Sequence, residues 1–141
     1  MQPIIKKATN KEDILKCKEV ILCLRPHLDS DIMADIILEM FSEGYQLAYI
    51  EEENKAVAFI GYRYMQFLYN GKHIYIDDLS TLPSARGKGY GSLLISYVEQ
   101  EAIKKGYKLI TLDSGFQRMD AHRLYLNKRF KIDSFHFSKS L

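Results

Sequence analysis

Residues Arg86-Gly87-Lys88-Gly89-Tyr90-Gly91 run directly into an amphipathic stretch from Ser92 to Lys105. No other feature limits the fold of this chain as much. Three glycines let the backbone bend sharply and approach a ligand closely. A helix that starts there leaves its first amides unpaired, and they converge with the positive end of the helix dipole. Such a point binds phosphate, and Arg86 and Lys88 bring mobile positive charge to it. The loop is not GxxxxGK[ST], and its glycines fall as GxGxG rather than in the dinucleotide spacing GxGxxG. Taken alone, the same residues also describe a tight strand-to-helix turn. Ser92 reads equally as a phosphate donor and as a first-turn residue.

The rest of the chain alternates between helix and strand patterns. Ile4 to Ala8 reads as a first edge strand. Thr9 and Glu12 fit a capping box opening one helix that Pro26 ends. Asp29 or Ser30 caps a second helix, with Gly44 as its stop. Strands are expected from Tyr45 to Glu51 and from Ala56 to Tyr69. Asn70-Gly71 then signals a hairpin in which both turn residues tolerate positive φ. It leads into a strand over His73–Leu82. After the loop helix and Gly106, Tyr107 to Asp113 returns as a strand, which makes a parallel right-handed crossover. A helix from Arg118 to Lys128 and a last alternating strand from Ile132 to Phe137 complete the pattern. Residues 1–141 read as one α+β domain with a mixed sheet of six or seven strands.

Composition narrows the class. A chain of 141 residues that is 47% hydrophobic closes one core and is short for two domains. No run reaches the roughly 18 apolar residues of a membrane span. Met1-Gln2-Pro3-Ile4-Ile5-Lys6-Lys7 lacks the apolar stretch of a signal peptide, so a cytoplasmic location is expected. Cys17 and Cys23, six residues apart in one expected helix, lie about 9 Å apart along its axis, too far for a disulfide. No His/Cys spacing suggests zinc. Residues 1–78 carry nine Lys and Arg against thirteen Asp and Glu, a net 9 − 13 = −4; residues 79–141 carry eleven against five, a net 11 − 5 = +6. The basic half holds the phosphate loop, which suits a polyanionic ligand. Tyr62, Tyr64, Phe67 and Tyr69 are not interleaved with a dense basic patch, so a nucleic-acid surface is not expected.

Two motifs, in order, carry a resemblance. Leu79, Thr81 and Pro83 precede Arg86, Gly89 and Gly91, and Ala121, Leu124, Tyr125 and Phe130 stand in register further on. These residues resemble the GNAT superfamily of acyl-CoA-dependent N-acetyltransferases. That family reads R/Q-x-x-G-x-G/A between a strand of the form L-x-V-x-P and a long helix. Its later helix reads N-x-x-A-x-x-L-Y-x-x-x-G-F. Arg118 stands where Asn is usual, and Arg129 where Gly is usual. The match runs from Asp77 to Phe130 and is topological before that. It implies a GNAT-like sheet splayed at its centre and flanked by about four helices, with acetyl-CoA as cosubstrate and no metal. The pyrophosphate is then expected on the amides of Arg86, Gly87, Lys88, Gly89, Tyr90 and Gly91, with Ser92 beside them. The pantetheine arm is expected along Leu79, Ser80 and Thr81, and Arg118 and Lys128 join the cofactor set.

Acyl transfer to an amine needs a neutral amine, a stabilised carbonyl oxygen and a proton for the departing thiolate. The resemblance makes Tyr125 the acid, out of ten tyrosines in the chain. A phenol of ordinary pKa near 10 is protonated at neutral pH. For the base, Asp77 and Asp78 are adjacent on a strand, so regular alternation sends them to opposite faces unless a bulge intervenes. Asp77 then shares a face with Tyr75, Leu79 and Thr81, and Asp78 with Ile74, Ile76 and Ser80. Asp113 reads as a turn cap or a third carboxylate, and His27, His73, His122 and His136 as ordinary loop, strand or helix residues. The expected partner is a small-molecule amine, with no nucleic acid and no membrane, and a homodimer is compatible with the family. Two other readings stand beside this one: acetylation of a protein N-terminus or lysine, and a non-catalytic acyl-CoA-binding sensor module.

Overall fold

The computed structural model describes residues 3–141; Met1 and Gln2, with which the opening stretch begins, lie outside the described residues. Strand β1 (Ile5–Lys7) leads into α1 (Lys11–Lys16) and α2 (Lys18–Leu24). One helix is expected there, and two form. The amide of Cys17 bonds to Ile14 O instead of following the i−4 ladder, and this tight turn separates them. The cap also lies one residue later than the pattern suggests. Asn10 accepts from the Asp13 amide, and Asp13 reaches back to the amide of Thr9. Helix α3 (Met33–Ser42) stops at Gly44, whose φ is +101°.

Strands β2 (Gln46–Glu52), β3 (Lys55–Phe67) and β4 (Gly71–Thr81) form an antiparallel meander. The tight positive-φ turn lies between β2 and β3, at Glu53 (φ +50°) and Asn54 (φ +66°). At the expected hairpin, only Gly71 has positive φ, and Leu68, Tyr69 and Asn70 make a longer connection. A 3-10 turn at Pro83–Ala85 joins β4 to the loop and to α4 (Tyr90–Lys104); β5 (Ile110–Leu112) and α5 (Met119–Asn127) follow. The sheet order is β1-β2-β3-β4-β5, with only the β4–β5 pair parallel. Helix α4 packs on one sheet face through Leu94, Ile95, Val98 and Ala102, and Tyr97 meets Tyr62 of β3 edge-on. Helix α2 covers the other face through Val20 and Ile21. Each of the buried Leu, Ile and Val side chains among these stabilises the fold by about 1.5–3 kcal/mol relative to exposure.

The α+β architecture is present with five strands instead of six or seven, and with five α-helices instead of about four. The missing strand is the last one. Ile132, Phe135 and Phe137 are 81%, 81% and 89% exposed, and residues 129–141 join no ladder. Alternation predicts a strand only where a sheet face takes up its apolar side, and here no such face is engaged. Among the described residues no helix is long and apolar enough to cross a membrane.

Candidate active site

Strand β4 positions most of the site, and one irregularity decides how. Gly61 pairs with Asp78 and Tyr62 with Ile76, so Asp77 is an additional residue, a bulge. Gly61 and Tyr62 are consecutive on β3 and face opposite ways, so Asp78 faces away from Ile76. Ile74 and Ile76 remain buried in the core, while Asp78 joins Gly61 and Phe59 on the α2 side. The expectation that Asp77 and Asp78 point to opposite faces is therefore corrected. Both carboxylates gather around Tyr45, as does Arg63, whose guanidinium lies 5.3 Å from the Tyr45 ring centre.

Their environments differ. Asp78 is fully engaged: Oδ1 accepts from Arg25 Nε (3.0 Å) and Nη2 (2.8 Å), and Oδ2 accepts from the Tyr45 hydroxyl (2.7 Å). Asp77 Oδ2 accepts from Arg63 Nε at 2.8 Å, but Asp77 Oδ1 is buried with no hydrogen-bond partner. Burial, only partly offset by Arg63, raises the Asp77 carboxyl above the usual carboxylate range, and the neighbouring Asp78 charge adds to the rise. Burial also raises the Tyr45 phenol well above a free tyrosine, with the Asp78 charge next. Gly61 makes this cluster fit. A Cβ built on it would stand 1.8 Å from the Tyr45 hydroxyl oxygen.

Strand β4 pairs with β5 only over Ile74–Ile76, against Ile110–Leu112. Among the described residues no strand lies on its second edge from Asp77 through Leu79, Ser80 and Thr81, which leaves backbone donors and acceptors there, although Asp77 O accepts from Arg25 Nη2 at 3.1 Å. The loop follows at once. Gly87 and Gly89 have φ of +83° and +80°, and Gly89 is the N-cap of α4. Among the described residues no acceptor takes the amides of residues 87–92. The side chains of the loop are partly committed elsewhere. Lys88 (3.0 Å) and the Tyr90 hydroxyl both bond to Glu52 of β2, and Arg86 Nε reaches Thr81 O at 3.4 Å. The Ser92 hydroxyl has no hydrogen-bond partner among the described residues.

Helix α5 is fastened beside the start of α4. A Cβ on Gly91 would lie 3.0 Å from Leu124, and Lys128 bonds to Ser96 (2.7 Å) and pairs with Glu99 (3.3 Å). The Lys128 ammonium thus serves the α4–α5 contact. Arg118 occupies the N-cap position of α5 with no capping bond from its side chain, and His122 bonds to Ser114 at 3.1 Å. The end of α5 is a Schellman motif. The Phe130 amide bonds to Tyr125 O, the Arg129 amide bonds to Leu126 O, and Arg129 takes φ +70°. The motif brings the Phe130 ring centre to 5.9 Å from that of Tyr125. Burial raises the Tyr125 phenol above the ordinary tyrosine value, and Arg118 pulls it partly back. Asp113 is not a turn cap: it accepts from the Tyr75 hydroxyl at 2.7 Å, with His136 at 3.7 Å. His73 is wholly buried, its Nδ1 2.8 Å from Gly71 O.

Sequence reasoning does not single out Arg25, Tyr45, Arg63 or Glu52. Their partners lie 14 to 53 residues away in the chain, and no local pattern marks such contacts. Between α2, α3 and the sheet lies a cavity of about 190 Å³, which Asp78 lines from the opened part of β4.

The family model described as "Acetyltransferase (GNAT) family" matches residues 13–130. The chain is 34% identical over 137 residues to the uncharacterized N-acetyltransferase YhdJ of Bacillus subtilis (strain 168), covering 96% of each. It is 41% identical over 66 residues to the aminoalkylphosphonate N-acetyltransferase of Salmonella typhimurium, which is 47% of this chain and 43% of that protein. Its fold matches AAC(6')-Iy, solved in complex with the bisubstrate analogue CoA-S-monomethyl-acetylneamine. The TM-score is 0.82 at 16% identity, covering 100% of this chain and 99% of that one.

Proposed function

We propose that this chain, which belongs to the acetyltransferase (GNAT) family, transfers the acetyl group of acetyl-CoA to the primary amine of a small molecule. Membership makes it an acetyltransferase; the cosubstrate, the class of acceptor and the residue roles are the content of the proposal. One observation carries it: the unpaired amides of residues 87–92 lie at the head of α4, beside a strand edge left open from Asp77 to Thr81. Phosphate oxygens fit such amides, and the two amides of pantetheine fit such an edge. Crystals of the fold neighbour AAC(6')-Iy with a CoA conjugate support the cosubstrate, and the aminoalkylphosphonate acetyltransferase supports a small acceptor.

The reaction joins the amine nitrogen to the thioester carbonyl carbon and breaks the C–S bond. The amine loses one proton and the thiolate gains one, so the protons balance. Tyr125 is the donor to sulfur, since burial keeps its phenol protonated at neutral pH and above. For the amine proton the carboxylates divide the work. Asp78 has both oxygens engaged and holds Arg25 and Tyr45 in position. Asp77 retains an unpartnered oxygen and accepts the proton, directly or through one water.

Thiol release from acetyl-CoA, measured across a panel of small amines and then with peptide and protein acceptors, tests the proposal. Turnover with small amines is expected. Turnover confined to protein acceptors supports the protein-acetyltransferase reading, and CoA binding without turnover on either panel supports the sensor reading.

A further inference from the structure

The cavity beside Asp78 says what kind of amine the chain is built for. Its wall is Ile21, Leu28, Met33, Ile37, Met40 and Phe59, and its polar end is Arg25, Tyr45 and Asp78, with His27 the other titratable side chain facing in. Resting on the acetyltransferase reading above, we propose that the acceptor is a primary amine attached to a compact apolar group, phenyl or branched alkyl, which fills this cavity. Three observations lead there.

The first is size and lining. An apolar cavity of roughly 150 Å³ takes up benzene, and this one holds about 190 Å³. A phenyl or isobutyl group fits with room for a short linker. The second is charge. Asp78 at the polar end is matched by Arg25, and beside the cavity Asp77 is matched by Arg63, so neither carboxylate is left as surplus charge. A polyamine finds no surplus of carboxylate there. A phosphonate finds one guanidinium in the cavity, and that group already bonds through Nε and Nη2 to Asp78 and the Asp77 carbonyl. The third is position. Asp78 lines the cavity and belongs to the stretch of β4 that has no strand on its β5 side. An apolar group seated in the cavity therefore leaves its amine at the Asp78 end, beside the opened stretch of β4. A charge-balanced, apolar site also favours the neutral amine, the form that attacks.

The test compares 2-phenylethylamine and 3-methylbutylamine with 2-aminoethylphosphonate and spermidine, by initial rates of thiol release at fixed acetyl-CoA. The apolar amines are expected to lead in kcat/KM by about 10–100-fold, the scale of burying one such group. Titration calorimetry of 2-phenylethylamine into the whole chain reads the cavity independently of turnover. Ile36 lines the cavity and is 36% exposed, so Ile36→Trp narrows the cavity from a position where a larger ring has space outside the core. It is expected to weaken 2-phenylethylamine binding about tenfold or more while CoA binding persists; Met40→Phe is the second variant should the first fail to fold. Faster turnover of spermidine or the phosphonate overturns the cavity assignment and leaves the acetyltransferase reading standing. No turnover with any amine overturns that reading, and the calorimetry then decides the cavity alone. Absent binding, or binding unchanged in the folded variants, overturns it.

Discussion

Arg129 is an arginine in a glycine position, and replacing it should make the protein more stable. Its φ of +70° lies in the left-handed region, at the residue just past the end of α5. An L side chain there costs about 1–2 kcal/mol relative to the ordinary helical region. The Arg129 side chain makes no ion pair or hydrogen bond among the described residues, so Arg129→Gly forfeits no contact of that kind. Glycine does give the unfolded chain more freedom, which takes back about 0.5–1 kcal/mol. The net expectation is a gain of about 0.5–1 kcal/mol. For a chain of this length that raises Tm by roughly 2–4 °C. A urea titration should show the midpoint moving up at constant slope. Arg129→Val goes the other way, because a β-branched residue tolerates this φ worst, and a loss of about 1–3 kcal/mol is expected. The Val variant should also lower turnover, since the Schellman motif that holds Phe130 against Tyr125 depends on this residue. A lower midpoint for Arg129→Gly, or a Val variant as stable as the parent, would refute the reasoning.

Tyr125→Phe keeps the ring packed on Phe130 and removes the proton; kcat should fall by about 10²–10⁴ with CoA affinity nearly unchanged. Because burial raises the Tyr125 phenol, the parent's rate should climb as the amine deprotonates and decline only above the usual tyrosine range near 10. A decline starting below that range would remove Tyr125 as the acid. Asp77→Asn should lower kcat/KM strongly in a fold that melts near the parent. Asp78→Asn, which weakens the Arg25 and Tyr45 contacts, should show first as a lower Tm; the reverse pattern in paired kinetics and melting curves would exchange their roles. Gly89→Val forces a β-branched residue to φ +80° at the N-cap of α4 and should weaken CoA binding in an equilibrium titration. Wild-type affinity in a folded Gly89→Val protein would place the phosphates elsewhere.

What could be read from the sequence was local. The Gly loop and the helix after it, the strand before it and the α5 motif each occupy a short span whose pattern needs no partner. Even the departure at Arg129 has a local meaning, since the family's glycine marks a residue of positive φ. What could not be read depended on pairing. Nothing in Ile76-Asp77-Asp78-Leu79 announces a bulge, because either aspartate fits the alternation, and only the register against Gly61 and Tyr62 shows the additional residue. The break at Cys17 is hidden inside a continuous helical pattern. Asn70-Gly71 is the stronger turn dipeptide, yet the tight turn forms at Glu53-Asn54, where Glu52 and Lys55 pair across it. Ile132 to Phe137 has the alternation of a strand and no surface to complete it.

The additional residue at position 77 also separates two packing environments along one strand. Upstream of it, Ile74 and Ile76 answer to the volume of the core under α4; downstream, Asp78 and Ser80 look onto the opposite layer. Substitutions at Asp78 or Ser80 therefore meet a different layer from those at Ile74 or Ile76. A one-residue deletion at 77 would leave Ile76 against Tyr62 and Asp78 against Gly61 as consecutive pairs of a regular ladder. Asp78 would stay with Gly61 on the α2 side and Leu79 with Ile60, and what would go is the Asp77 carboxylate with its bond to Arg63. A deletion at 77 should therefore keep the fold and the Asp78 cluster while removing one carboxylate, an outcome that a melting curve and kinetics on that variant would display together.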